Sequence, residues 1–323
     1  MIISRTPFRV SFAGGGTDLR AFYKKEPGAV TSTTIDKYMF ITINKRFDST
    51  IRASYSKTEI VNTAEEIKHP IVREALKSAG ISNGIEITSI ADVPFGTGLA
   101  SSSSFTVGLL NALYAYLGKY KSAEELAQES CRIEIEILGE PIGKQDQYAA
   151  AYGGFLHIQF NPNEDVFVDP IICSKDVKDE LNNKLMMFYT GLSRQSRDIL
   201  KEQCQNTEEK FVFLKKMRDL SIQIEKVLIK EKNLDEIGEI LHQAWIYKKK
   251  LVGTISNDII DTYYEKARAA GALGGKILGA GGGGFLLFYC EKQNQSRVRE
   301  ALSDLKELPF RFEPQGSKII YVG

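Results

Sequence analysis

The alternation of apolar and polar positions changes period along the chain. In the first ninety residues FRVSFAG, AVTSTTI, MFITINKRF, TIRASYS and IEITSI are short runs rich in β-branched and aromatic side chains, and they predict strands. Residues 69–79 predict a helix before the last of them. From about Ser102 the period becomes helical. Phe105, Leu109, Leu113 and Leu117 recur every four residues, with Leu110 and Tyr114 beside them, which predicts an amphipathic helix ending at Gly118. Residues 123–138 read as helix too, and FLHIQF (155–160) returns to strand. The polar stretch 161–183 reads as a boundary. Beyond it come the strand LMMFYT, charged helices over 195–252 and 257–270, strands around 284–290 and 318–322, and a helix at 294–305 between those. A strand-rich half followed by a helix-rich half predicts an α+β fold in two domains, 1–175 and 176–323, rather than a regular βαβ alternation. The length of 323 residues agrees, at roughly 150 residues per domain.

Charge and composition narrow the function. Lys plus Arg is 42 and Asp plus Glu 41, a net charge of +1. That balance argues against coating nucleic acid or an anionic membrane through bulk charge. The N-terminus MIISRTPF lacks a signal-peptide pattern. FLLFYC (285–290) is far short of the roughly 18 apolar residues of a membrane span. Cys131, Cys173, Cys204 and Cys290 are scattered, form no CxxC and do not cluster with His69, His157 or His242. Thiols in a reducing cytoplasm fit better than zinc ligands or disulfides.

The 27 glycines are ordinary in number but bunched. The first cluster, Gly14-Gly15-Gly16, follows a strand and precedes Thr17-Asp18, where backbone could approach a ligand and Asp18 accept from hydroxyls. A hairpin turn with a capping Asp is the simpler alternative. The second, Pro94-Phe95-Gly96-Thr97-Gly98-Leu99-Ala100 followed by Ser101 to Ser104, runs straight into the helix. Unpaired amides at a helix start, with several hydroxyls, favour a phosphate over an ordinary cap. It is not a Walker loop, since none of the Gly-Lys pairs is followed by Ser or Thr. The third, Gly274 to Gly284, contains GxGxxG at 279–284. A strand follows instead of a helix, so a ligand-facing loop is a better reading than a dinucleotide fingerprint. Between the last two lies EIEILGEPIGKQDQ (134–147). There Glu134 could be a solvated helix face, and Asp146 a first-turn Asp on the next helix.

Together these segments resemble the GHMP kinase superfamily over essentially the whole chain, in the family's order. PFGTGLASSSS looks like its ATP-phosphate loop and KILGAGGGGF like its C-terminal glycine motif. Within the superfamily, RTPFRVSFAGGGTD looks most like the sugar kinases that act on heptose phosphates, with TSTTIDKY and WIYKKKL as weaker matches. The galactokinase signature is met only in part. Arg9, Val10, Thr17 and Asp18 correspond, and Gly15-Gly16 replace a Glu-His pair.

The resemblance implies a first domain like ribosomal protein S5 domain 2 and a second like ferredoxin, with ATP and sugar meeting between them. It implies ATP-dependent phosphorylation of D-glycero-D-manno-heptose 7-phosphate at C1, a step of GDP-heptose synthesis for surface polysaccharide. The alternatives are a C1 kinase for free fucose or galactose, or a catalytically silent relative. Pro94, Gly96, Thr97, Gly98, Leu99, Ala100, Ser101, Ser102 and Ser103 would bind the ATP phosphates. Ser102 and Glu134 would hold Mg²⁺, with Glu136 as substitute. Asp146 would act on the sugar hydroxyl, with Arg9 beside it. Gly14, Gly15, Gly16, Asp18, Gly281 and Gly282 would contact sugar or transferred phosphate. Arg194 and Arg197 are candidates for a second substrate phosphate, and Lys248 to Lys250 a further option, otherwise read as a charged helix face. The expected partners are ATP and a small sugar phosphate, with no nucleic acid or membrane, and a homodimer stays open.

Overall fold

A computed structural model of the protein describes residues 1–192, 196–231 and 233–323. In chain order the strands are β1 (Ile2–Ala13), β2 (Gly28–Lys45), β3 (Ile51–Ser54), β4 (Thr58–Val61), β5 (Ile85–Ala91), β6 (Phe155–Phe160), β7 (Val166–Pro170), β8 (Leu185–Tyr189), β9 (Ala272–Ile277), β10 (Phe285–Cys290), β11 (Lys306–Glu307) and β12 (Lys318–Val322). Among the described residues they form two sheets. The larger runs β12-β1-β2-β5-β3-β4, with β6 also on β2 and β7 on β6; the smaller runs β11-β8-β10-β9.

The long strand β2 organises the larger sheet. The two runs read as separate strands are one, because neither glycine nor proline breaks them. The register shifts where Pro7 faces Tyr38 and Phe8 faces Ile35, and the chain continues. Its first half pairs with β6 and its second half with β5. The stretch 161–183 also holds more than the polar loop expected: β7 closes a hairpin on β6, and a helix occupies Lys175–Lys184. Val177 and Leu181 give that helix a buried face, which the surrounding polar residues obscure. At the other end, β12 pairs antiparallel with β1, so the last residues lie in the larger sheet.

The α-helices before β6 are α1 (Arg20–Tyr23), α2 (Pro70–Ala79), α3 (Ser101–Tyr116), α4 (Ala123–Cys131) and α5 (Gln145–Tyr152). The expected amphipathic helix α3 is buried around most of its circumference, so it runs through the core instead of lying on it. Phe105, Leu109 and Leu113 pack there with Phe8, Val10, Ile41 and Ile43. After α6 (Lys175–Lys184) come α7 (Ser196–Asn206), α8 (Phe211–Lys230), α9 (Asp235–Lys249), α10 (Asp258–Ala269) and α11 (Gln295–Ala301). The smaller sheet has its own core, in which Trp245 of α9 and Tyr264 of α10 meet Phe288 of β10. Helix α8 returns to the larger sheet, where Ser221 donates to Ala29 O at 3.1 Å and its carbonyl accepts from Thr31 at 2.8 Å. The two halves are therefore tied at the end of β2 as well as at the cleft.

Candidate active site

A cavity of about 340 Å³ lies where the glycine segments meet. The Gly96–Ser103 segment forms one wall. Helix α3 starts at Ser101 without a side-chain cap, and Ala100 before it holds left-handed backbone angles (φ 66°, ψ 32°). A non-glycine residue there is strained. The turn leaves Ser101, Ser102 and Ser103 on the cavity wall at the helix start, where amides lack intrahelical partners.

The third glycine segment forms the opposite wall, but only in part. Gly274 to Ile277 belong to β9, and the loop proper is 278–284. The two loops touch through backbone. A Cβ on Gly98 would lie 2.5 Å from Leu278 O, and one on Gly279 would lie 2.5 Å from the Gly98 Cα. Only glycine allows that approach at both positions.

Between the walls, Arg9 of β1 grips Asp146 of α5 with two bonds. Nε donates to Oδ1 at 2.7 Å and Nη2 to Oδ2 at 2.9 Å, while Nη1 donates to Gly98 O at 2.7 Å. Arg9 is 3% exposed. A planar guanidinium on a carboxylate is a strong, oriented pair.

Glu134 is not a solvated helix face: it is 1% exposed. The expected helix 123–138 changes character at Cys131, and Arg132–Ile137 forms a π-helical turn that carries this carboxylate inward. Ser102 donates to it at 2.9 Å and Gln147 at 2.7 Å. Burial pushes its carboxyl up to about 7, and nearby Asp146 adds to the effect. Glu136, the substitute, is not on the cavity wall.

Asp18 is also buried, accepting from the Gly16 amide at 2.9 Å and the Gln145 amide at 3.3 Å. Burial, then the charge of Asp146, raises its carboxyl. It ties the first glycine segment to the start of α5 while lining the cavity with Gly15 and Gly16.

Other named residues stand behind the wall. Thr97 donates to Pro94 O at 2.9 Å, and the Arg9 amide donates to Leu99 O at 3.2 Å. Gly14 O accepts from the Thr17 amide, and the Gly282 amide donates to Ile255 O. Gly14, Pro94, Thr97, Leu99 and Gly282 do not line the cavity, whereas Gly281 does. Arg194 lies outside the described residues. Arg197 reaches the cavity, but its side chain is 60% exposed and pairs with Glu140 at 3.5 Å.

Sequence reasoning missed several cavity residues. Lys276 was hidden because its strand was read as loop. Lys248, a further option for phosphate and otherwise read as a charged helix face, is 7% exposed and lines the cavity, while Lys250 lies outward. Ser11, Gln145 and Gln203 also line the cavity, and nothing in their local sequence marks them.

The chain is similar to known proteins over most of its length. The N-terminal domain of GHMP kinases matches residues 58–154, and their C-terminal domain matches 226–307. A heptose kinase from Campylobacter jejuni, named D-glycero-alpha-D-manno-heptose 7-phosphate kinase, is 30% identical over 93% of both chains. The chain belongs to the GHMP kinase family. It is an ATP-dependent sugar kinase. Among solved structures of the family, a D-glycero-D-manno-heptose 1-phosphate kinase from Bacteroides thetaiotaomicron superposes with a TM-score of 0.84. It is 25% identical, with all of both chains covered. Mevalonate kinase from Methanococcus jannaschii shares the fold, with a TM-score of 0.75 at 21% identity over 96% of this GHMP kinase and 98% of that chain. No helix among the described residues is long and apolar enough to cross a membrane.

Proposed function

We propose that this kinase transfers the γ-phosphoryl group of ATP to the C1 hydroxyl of D-glycero-D-manno-heptose 7-phosphate. The observation that carries the chemistry is the two-bond Arg9–Asp146 pair, which lines the same cavity as the start of α3. The relative from Campylobacter jejuni supplies the sugar.

In this reading the loop amides and the serine hydroxyls of α3 hold the ATP phosphates. The C1 oxygen attacks the γ-phosphorus, the bond to the β–γ bridging oxygen breaks, and ADP leaves. Asp146 takes the hydroxyl proton as the C1–O–P bond forms, a contribution of about 10²–10⁴-fold for a positioned base. Arg9 holds that carboxylate in place before the transfer through its two bonds. Asp18 and the Gly15–Gly16 backbone border the sugar.

Glu134 and Ser102 fit Mg²⁺. The carboxylate is buried and has hydrogen-bond donors, yet no cation beside it among the described residues, and the Ser102 hydroxyl is within 2.9 Å. Two oxygen donors suffice for an ion that keeps water and phosphate as its other ligands. When bound, Mg²⁺ would neutralise charge on the β- and γ-phosphates. The four free cysteines support a cytoplasmic enzyme.

The test is a panel of sugars with and without a terminal phosphate, read by ADP release. Heptose 7-phosphate should be turned over, with free galactose and fucose at least about a hundredfold poorer in kcat/KM, as expected when a charged group goes unbound. Turnover of a free sugar with none of heptose 7-phosphate would overturn the assignment.

A further inference from the structure

Two lysines in the cavity have no part in the chemistry above. Lys276 of β9 is 4% exposed and Lys248 of α9 is 7% exposed. Lys276 Nζ donates to Ser11 O at 2.9 Å and Phe12 O at 3.0 Å. Lys248 Nζ donates to Ile277 O at 3.2 Å and Gly279 O at 2.5 Å. Neither pairs with a carboxylate among the described residues. Each ammonium has three donors, so each retains one N–H while lining the cavity.

Burying a charge without a counter-charge costs several kcal/mol, and two close together cost more. The structure bears the mark of that cost. Burial brings Lys276 down to about 7 and Lys248 well below its ordinary value, with Arg9 a further positive neighbour of both. The remaining charged groups on the cavity wall are Asp18, Glu134, Glu140, Asp146 and Arg197. Asp146 and Arg197 are already in ion pairs, and Glu134 and Asp18 have donors of their own. A third unfilled group stands at the same place. Ser11, whose carbonyl holds Lys276, also lines the cavity, and its hydroxyl is buried without a hydrogen-bond partner. Holding two carbonyls would explain each lysine alone. It does not explain two buried lysines lining one cavity together with a serine whose buried hydroxyl has no partner.

We propose that Lys248, Lys276 and Ser11 form a second phosphate seat in the cleft, distinct from the amides of α3. It takes a phosphate monoester or terminal phosphate in its dianionic form. Two groups in the reaction have that chemistry: the phosphate carried by the sugar and the terminal phosphate of ATP. The seat rests on the reading of this cleft as that of a sugar-phosphate kinase.

Lys276→Met and Lys248→Met remove the charge at similar length, and steady-state kinetics with both substrates separates the sources. If the sugar phosphate occupies the seat, KM for heptose 7-phosphate rises at least about tenfold while KM for ATP stays put, the loss expected for one charge-assisted bond. If the ATP phosphate occupies it, ATP loses that affinity on every accepted sugar. Both KM values within about twofold of the parent, whatever the change in Tm, would make the lysines structural pins and overturn the seat. A measurement on the unaltered protein guards against variants that do not fold. Orthophosphate is titrated by calorimetry near pH 8.5 in two buffers of different ionisation heat, where a lysine titrating near 7 is mostly neutral. Uptake of about one proton or more per phosphate supports the seat, and binding with no proton uptake, or no binding, overturns it. Orthophosphate binding with proton uptake, in a protein that ignores heptose 7-phosphate, would sink the substrate assignment and keep the seat.

Discussion

Replacing Gly98 by alanine tests whether the cavity depends on contact between its two glycine loops. Gly98 has φ +86°, and an added Cβ would lie 2.5 Å from Leu278 O, 2.8 Å from Leu278 C and 3.2 Å from Gly279 N. All three atoms are backbone, so no flexible side chain can move aside. The loops must part by about 1 Å to reach ordinary contact. Left-handed backbone angles cost an alanine about 1 kcal/mol, and forced opening of a packed contact costs about 1–3 kcal/mol more. Gly118 separates these terms. It has φ +69°, follows α3 and has nothing within 4 Å of an added Cβ. Gly118→Ala should therefore cost only the backbone term of about 1 kcal/mol in urea denaturation, and Gly98→Ala about 2–4 kcal/mol. Function should diverge further. Gly98 O accepts from Arg9 at 2.7 Å, so parting the loops moves the group that orients Asp146. A misplacement near 1 Å can cost about 10²-fold, which should appear in kcat/KM for ATP. Equal stability losses in the two variants, with kcat/KM unaltered in Gly98→Ala, would refute the idea that the loops are mutually wedged.

Two further expectations concern the carboxylates. Asp146→Asn should lower kcat by about 10²–10⁴-fold while the Kd of a non-hydrolysable ATP analogue stays within a few-fold, and unchanged turnover would remove Asp146 from the chemistry. Glu134→Gln should abolish any Mg²⁺-induced rise in Tm yet stabilise the metal-free protein at high pH. Its carboxyl is raised from 4.5 to about 7 in the fold. The native state therefore binds more protons than the unfolded state across that window, and stability falls as pH rises from 4.5 to about 7. Glutamine removes that loss of about 3 kcal/mol, so denaturation at pH 8 should favour the variant and at pH 4 show no difference. A difference independent of pH would contradict the burial argument.

The elements legible in the sequence were those whose pattern is local. FLHIQF, LMMFYT and the α3 stripe appear where their side chains predict them, because period and turn residues settle such elements. β9 was not legible, since GALGGKI has too few β-branched residues to mark a strand. The smaller sheet supplies the order instead, by pairing it along β10. The π turn at Arg132–Ile137 has no sequence signature at all, although it is what carries Glu134 inward. For the site, motif order brought the glycine loops, Ser102, Glu134 and Asp146 into view. Local reasoning left Glu134 and Asp146 undecided between solvent and site, because burial is a property of packing across distant segments. Lys248 shows the same limit from the other side. Three consecutive lysines look solvated, and only the position of β9 and its loop places the first of them inside.

The cavity also explains how a chain with a net charge of +1 can handle two anionic substrates. Its wall carries Asp18, Glu134, Glu140 and Asp146 against Arg9, Arg197, Lys248 and Lys276, so it is balanced in formal charge. The charges are sorted, however. Glu134 stands with Ser102 at the start of α3, and the two lysines stand with β9 and its loop. The Arg9–Asp146 pair, already satisfied, lies between them. On the proposed reading a divalent cation would be drawn to the first side and a phosphate to the second, with the pair between left for the hydroxyl. Bulk positive charge would attract phosphates without discriminating among them. Sorting the same few charges across a small, partly buried cavity would make each side favour one kind of group, because the interaction is stronger there than in bulk water.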